Sequence, residues 1–148
     1  MKTIKTIDCV SVYSLLVAAS LGKMASADKF AVIKTIKAMK PIVEAFTDFR
    51  SDASEKLKGD NHAQMQTKAM QWQKEGDKCG LTDAEKMEVN SYFENYANDM
   101  KECIEEELQK DNELDIRTIS EEAFGYLLDA NDKWNADQIM KIQDIMCE

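Results

Sequence analysis

Apolar residues recur at helical spacing along most of this chain, and polar residues between them mark the faces turned to water. From Asp28, the positions Val32, Ile33, Ile36, Met39, Val43, Phe46 and Phe49 form one stripe, with Lys34, Lys37, Glu44 and Asp48 off it. That spacing predicts a first helix. Pro41 falls inside the stripe and lacks a backbone donor, so the helix is expected to kink or divide there. Polar residues 51–59 should end it. A second helix is expected from about Asn61, through Met65, Ala69 and Trp72, to a stop at Gly76.

Thr82-Asp83-Ala84-Glu85 has the form of a capping box, in which the Thr hydroxyl and the Glu carboxylate satisfy orphan amides reciprocally. Val89, Phe93, Tyr96, Met100 and Cys103 follow at spacings of four and three, and Ile104 and Leu108 widen the stripe. A long third helix should therefore persist to about Lys110 and act as the spine of the fold. Thr118-Ile119-Ser120-Glu121 is expected to start a fourth helix with Phe124, Leu127 and Leu128 inward. Asn135-Ala136-Asp137-Gln138 is expected to start a fifth with Ile139, Ile142, Ile145 and Met146 inward. No segment alternates with period two, so strands are not expected. The pattern predicts an all-α fold: a single-domain bundle of about five helices on one long central helix, with a helical hairpin at the C-terminus.

The first residues change where that bundle would work. Lys2 and Lys5 precede an apolar run from Cys9 to Leu21, and Ala25-Ser26-Ala27 has the small-x-small form of a signal-peptidase site. This predicts a cleaved secretory signal over residues 1–27, a helical domain over 28–148, and a secreted, extracellular protein. The run is shorter than the roughly 20 residues a bilayer core requires. Asp8 in the basic region and Lys23 near the cut depart from the signal pattern, and the alternative is an amphipathic first helix that stays attached.

The 148 residues carry a formal net charge of −9, and cleavage after Ala27 would make it −11 by removing three bases and one acid. Such a chain repels nucleic acid and anionic membrane, which require clustered Lys or Arg. Its electrostatics favour an extracellular partner with a basic surface.

Cys79, Cys103 and Cys147 would remain after cleavage, an odd number in an oxidising compartment. A continuous third helix separates Cys79 from Cys103 by about 32 Å along its axis, beyond the reach of a bridge. A disulfide between Cys103 and Cys147 is favoured, leaving Cys79 unpaired or joining two copies in a homodimer. The competing pair is Cys79–Cys147.

Candidate chemistry is sparse. Residues 111–122 hold Asp111, Glu113, Asp115 and Glu122 at the ligand spacing of a calcium loop, but Ile116 stands where such a loop requires Gly. The segment reads instead as an acidic linker, and no metal or cofactor is expected. His62 is the only histidine and has no evident partner for a metal site or a catalytic triad, so it is read as an exposed loop or first-turn residue. No phosphate-binding glycine loop occurs, and no enzyme is expected. Met and aromatic side chains could line a pocket between the first and third helices near Met39, Val43, Phe46, Phe93, Tyr96 and Met100. Trp72 and Trp134, each flanked by polar residues, are candidate anchors for a protein-binding surface.

The precursor-like start (LLVAASLGKMASA before DKF), the long capped helix (TDAEKMEVNSYFENYANDMKECIEEEL) and the Cys-Glu end give a layout that resembles small secreted salivary and venom proteins of arthropods. That resemblance implies a non-enzymatic protein that binds or inhibits a host protein through a helical surface. The alternative is a carrier that encloses a small hydrophobic or cationic ligand within the bundle.

Overall fold

The computed structural model describes residues 1–148. In chain order the elements are β1 (Lys2–Lys5), α1 (Thr6–Val17), α2 (Ser26–Lys56), α3 (His62–Glu75), a 3-10 turn (Gly76–Lys78), α4 (Asp83–Leu108), β2 (Asp111–Leu114), α5 (Glu121–Ala130) and α6 (Ala136–Met146). The chain packs as two compact units, one of Met1–Thr47 with Glu107–Glu148 and the other of Asp48–Glu106. The boundaries fall within α2 and at the end of α4.

The first unit is built around its N-terminal segment. β1 pairs antiparallel with β2, with Lys2 opposite Leu114 and Lys5 opposite Asp111. Strands were not expected, because one lies in the supposed basic leader and the other in the acidic linker. Each is four residues long and shows its preference only through its partner. Ile4, Cys9, Val12, Leu16 and Met24 are buried with Ala31, Val32, Met39, Phe124, Leu127, Ile142 and Met146 in one core. Each large apolar side chain so buried stabilises the unit by about 1.5–3 kcal/mol. Residues 1–27, read from the sequence as a leader, thus contribute Ile4, Cys9, Val12, Leu16 and Met24 to this core.

Polar groups close both ends of the chain onto the same unit. The Lys2 ammonium donates to the carbonyls of Asp144, Ile145 and Cys147 at 2.8–2.9 Å, satisfying acceptors that the end of α6 leaves without a helical partner. The Ile119 amide donates to the Met146 carbonyl. After α1, the Ser20 amide donates to the Asn131 side chain, whose own amide donates back to the Ser20 carbonyl.

Several expected elements appear with altered limits. α2 runs unbroken through Pro41. Lys37 and Pro41 both lie on the exposed side, where water can serve the carbonyl that loses its helical bond. The stripe of α2 is also incomplete: Val32, Met39 and Phe46 are buried, but Ile33 is exposed. α4 starts at the Thr82–Glu85 box, with both reciprocal bonds made. It is not a buried spine, since Val89 is its one fully buried side chain, and α2, with 31 residues, is longer. The N-cap of α5 is Ser120, which accepts from the Ala123 amide, rather than Thr118. The Asn135–Gln138 box of α6 forms as the sequence suggests. There are six helices rather than five, the additional one being α1 over the apolar run at Cys9, which the sequence reading placed before the helical domain.

The expected Cys103–Cys147 bridge is not formed, and all four cysteines are free thiols. Cys147 points into the first unit's core with Cys9, while Cys103 belongs to the second unit. Burial, with the charge of Asp8 second, pushes the Cys9 thiol up to about 11. Burial also raises Cys147.

Candidate functional site

The second unit has a thin apolar core of Ala53, Met65, Cys79 and Val89. Around it the turn from α2 into α3 is closed by an aromatic and polar group. The Gly59 amide donates to the Tyr92 hydroxyl at 3.1 Å, and that oxygen lies 2.7 Å from His62 Nδ1. The Tyr96 hydroxyl donates to the Ser54 carbonyl at 2.9 Å. Rings of His62, Tyr92, Phe93 and Tyr96 pack at centroid separations of 5.2–6.5 Å, mostly edge to face. Such aromatic pairs add about 0.5–1.5 kcal/mol beyond their buried area. His62 is therefore a half-buried structural partner at the first turn of α3, not an exposed one. Its Nδ1 and the two tyrosine hydroxyls thus tie the α2–α3 turn to α4 as a latch.

α3 sits on that latch with one side engaged. Lys68 pairs with Glu85 at 3.6 Å, the Lys86 ammonium lies 5.5 Å from the Trp72 ring centroid, and Gln71 donates to the Cys79 carbonyl. Gly76 ends the helix at φ 58, a left-handed conformation that costs glycine little, and its amide reaches the Trp72 carbonyl. The other side of α3 is free. Met70 is 63% exposed. A cleft of about 560 Å³ is lined by Thr67, Met70, Gln71, Gln73, Lys74 and Glu75. A second, of about 470 Å³, is lined by Ala63, Gln64, Thr67 and Lys68. Both are furrows along a single helix, open to solvent.

The chemistry of this face departs from the rest of the chain. Between Asp60 and Glu75 there is no carboxylate, although the chain holds 28 acidic residues. Within Ala63–Gln73 the only charge is Lys68, already paired with Glu85. Besides Trp72 on the engaged side, what remains in that stretch is Gln, Thr, Ala and Met, with Lys74 and Glu75 at the C-terminal end of the larger cleft. An exposed Met on a charge-poor strip sets this face apart from the acidic surface elsewhere on the chain.

The residues singled out from the sequence are placed as follows. Met39, Val43 and Phe46 belong to the first unit, and Phe93, Tyr96 and Met100 to the second. Met39 is wholly buried in the first core. Phe46 borders a small cleft of about 260 Å³ with Thr6, Pro41, Ile42, Ala45 and Asn112 among its walls. Phe93 and Tyr96 pack on His62. Trp72 and Trp134 are both half-buried, the latter against the first unit's core. Asp111, Glu113 and Asp115 of the acidic segment meet Lys5, Thr3 and Lys34. Nowhere do three or more His, Cys, Asp or Glu side chains gather as a metal would require. No helix is long and apolar enough to cross a membrane. Sequence reasoning missed Met70 and its neighbours, and the signal that would have found them is the acid-free stretch.

Comparison of the chain with protein-family models, with curated proteins and with solved structures finds no match.

Proposed function

We propose that this chain is a non-enzymatic binding protein that engages another protein through the outer face of α3. The observation that carries the reading is the charge-poor strip of Gln64, Thr67, Met70 and Gln73, left open above a unit with few buried side chains. A partner helix or strand laid on this strip would cover Met70 and remove its exposed apolar surface from water. The open, one-helix furrows suit a macromolecule better than an enclosed small ligand.

The form we favour keeps residues 1–27 attached. Cleavage after Ala27 would strip β1 and α1 from the first unit and expose the core positions facing Cys9, Val12 and Leu16. Secretion, with a basic-surfaced extracellular partner, is supported by the signal-like pattern of the first residues and by the net charge of −9. The intact mass of protein taken from its source separates the two forms, by a start at Met1 or at Asp28.

The binding reading is tested by a photo-crosslinking residue at Met70, compared with one at the exposed Glu102. A discrete protein adduct from position 70, absent from position 102, is expected. A small molecule retained in native mass spectrometry, with no protein adduct, would instead favour a carrier.

A further inference from the structure

We infer that a second copy of this chain docks α4 against an exposed stripe on α2, through two faces of matched apolar and charged residues. This contact is separate from the α3 face, and neither depends on the other.

The α2 stripe is an exception on an acidic protein. From Lys29 to Val43 the chain has four lysines and no carboxylate. Phe30 is 65% exposed and Ile33 38% exposed. At helical spacing Phe30, Ile33, Lys37 and Lys40 share one side, with Lys34 beside them, and all are exposed. Lys34 meets Asp115 at 3.1 Å and Lys40 meets Glu44 at 3.9 Å, both pairs in full contact with water and readily exchanged. Lys37 makes no ion pair. An exposed Phe beside an exposed Ile, ringed by lysine, is an apolar anchor with a cationic rim.

α4 carries the reverse. It holds nine carboxylates against Lys86 and Lys101. Met87, 70% exposed, stands on the same side as Asp83 and Glu94, with Glu88 next to it, all exposed. This is an apolar anchor with an anionic rim. Phe30 to Lys40 and Asp83 to Glu94 each span about 15–16 Å, three helical turns, so the faces match in length as well as in charge. Covering Phe30 and Ile33 with Met87 removes apolar surface from water, and the rims fix the register. Nucleic acid and anionic bilayers also attract lysine, but the net charge of −9 repels such dense polyanions at long range, and four lysines offer little to offset that. A helix of the chain's own making presents carboxylates at the required spacing. The contact joins unlike faces, so each copy offers both halves.

Sedimentation of the full chain tests this. The wild type is expected to associate at low salt and to weaken about tenfold or more as salt screens the rims. Lys34→Glu with Lys37→Glu should leave a monomer, and so should Glu88→Lys with Glu94→Lys. Mixing the two variants in equal amounts should restore association, since both faces of one, now acidic, meet both faces of the other, now basic. Phe30→Ser and Met87→Ser, at exposed positions, should each weaken association while the helical circular dichroism is kept. They hold the test open if a charge variant loses its fold. A wild type that stays monomeric, whatever else then binds the Phe30 stripe, overturns the inference. So does association that survives both charge reversals, or a mixture that fails to pair.

Discussion

The first unit buries Val12, Leu16, Met39, Leu127, Ile142 and Met146 almost completely, whereas the second buries little beyond Ala53, Met65, Cys79 and Val89. The first draws its core from both ends of the chain, locked by Lys2 on the last carbonyls of α6 and by the β1–β2 ladder. The second relies on a capping box, a ring cluster and hydrogen bonds between tyrosine hydroxyls and backbone. Apolar burial scales with area, while a hydrogen bond contributes about 1 kcal/mol net. The second unit should therefore open first.

Removing residues 1–27 should break that contrast most severely. The 28–148 fragment loses β1, α1 and the Lys2 contacts, so the first unit should lose its cooperative thermal transition. A fragment that melts like the full chain would show those residues to be dispensable to the fold.

Single core deletions should separate the units. Leu127→Ala should cost about 3–5 kcal/mol and speed amide exchange in α1, α5 and α6 while α3 keeps its protection. Met65→Ala should do the reverse. If both variants move every amide together, the chain unfolds as one cooperative body and the division has no energetic meaning.

Cys9 gives the first unit an alkaline weakness. Its folded pKa of about 11 lies above the ordinary 9.0, so unfolding releases a proton once the pH passes 9. The stabilisation is complete below pH 9 and is lost as the pH rises from 9 towards 11, by about 3 kcal/mol in all. Denaturant titrations of the wild type and Cys9→Ala at pH 8 and above pH 10 would check it, the variant lacking this share of the slope. Native alkylation should accordingly label the half-buried Cys103 ahead of Cys9 and Cys147.

The smallest effect belongs to the latch. Tyr92→Phe removes the hydroxyl that meets Gly59 and His62, and should cost the second unit about 1 kcal/mol. Chemical shifts in α5 and α6 should stay unchanged. A larger loss, or shifts that reach those helices, would extend the latch's role beyond its own unit.

Local signals carried the sequence reading where it agrees with the structure. The Thr82–Glu85 and Asn135–Gln138 boxes, the Gly76 stop and the stripes of α5 and α6 each act within a few residues, so they are legible one segment at a time. Ser120 rather than Thr118 caps α5 because the cap lies next to the first helical residue, and the two hydroxyls look alike in sequence.

The sequence by itself determined that the chain is mainly helical, where most helices begin and end, and that its surface is acidic. Only the tertiary structure decided the burial of Ile4, Cys9, Val12 and Leu16, the pairing of Lys2–Lys5 with Asp111–Leu114, and the separation of Met39 from Phe93 into different units. It also decided that Met70, Phe30 and Met87 stay outside. The physical reason is range. Caps and stripes are settled by neighbours three or four positions away, whereas a strand edge, a core position or an uncovered face exists only relative to a segment a hundred residues distant.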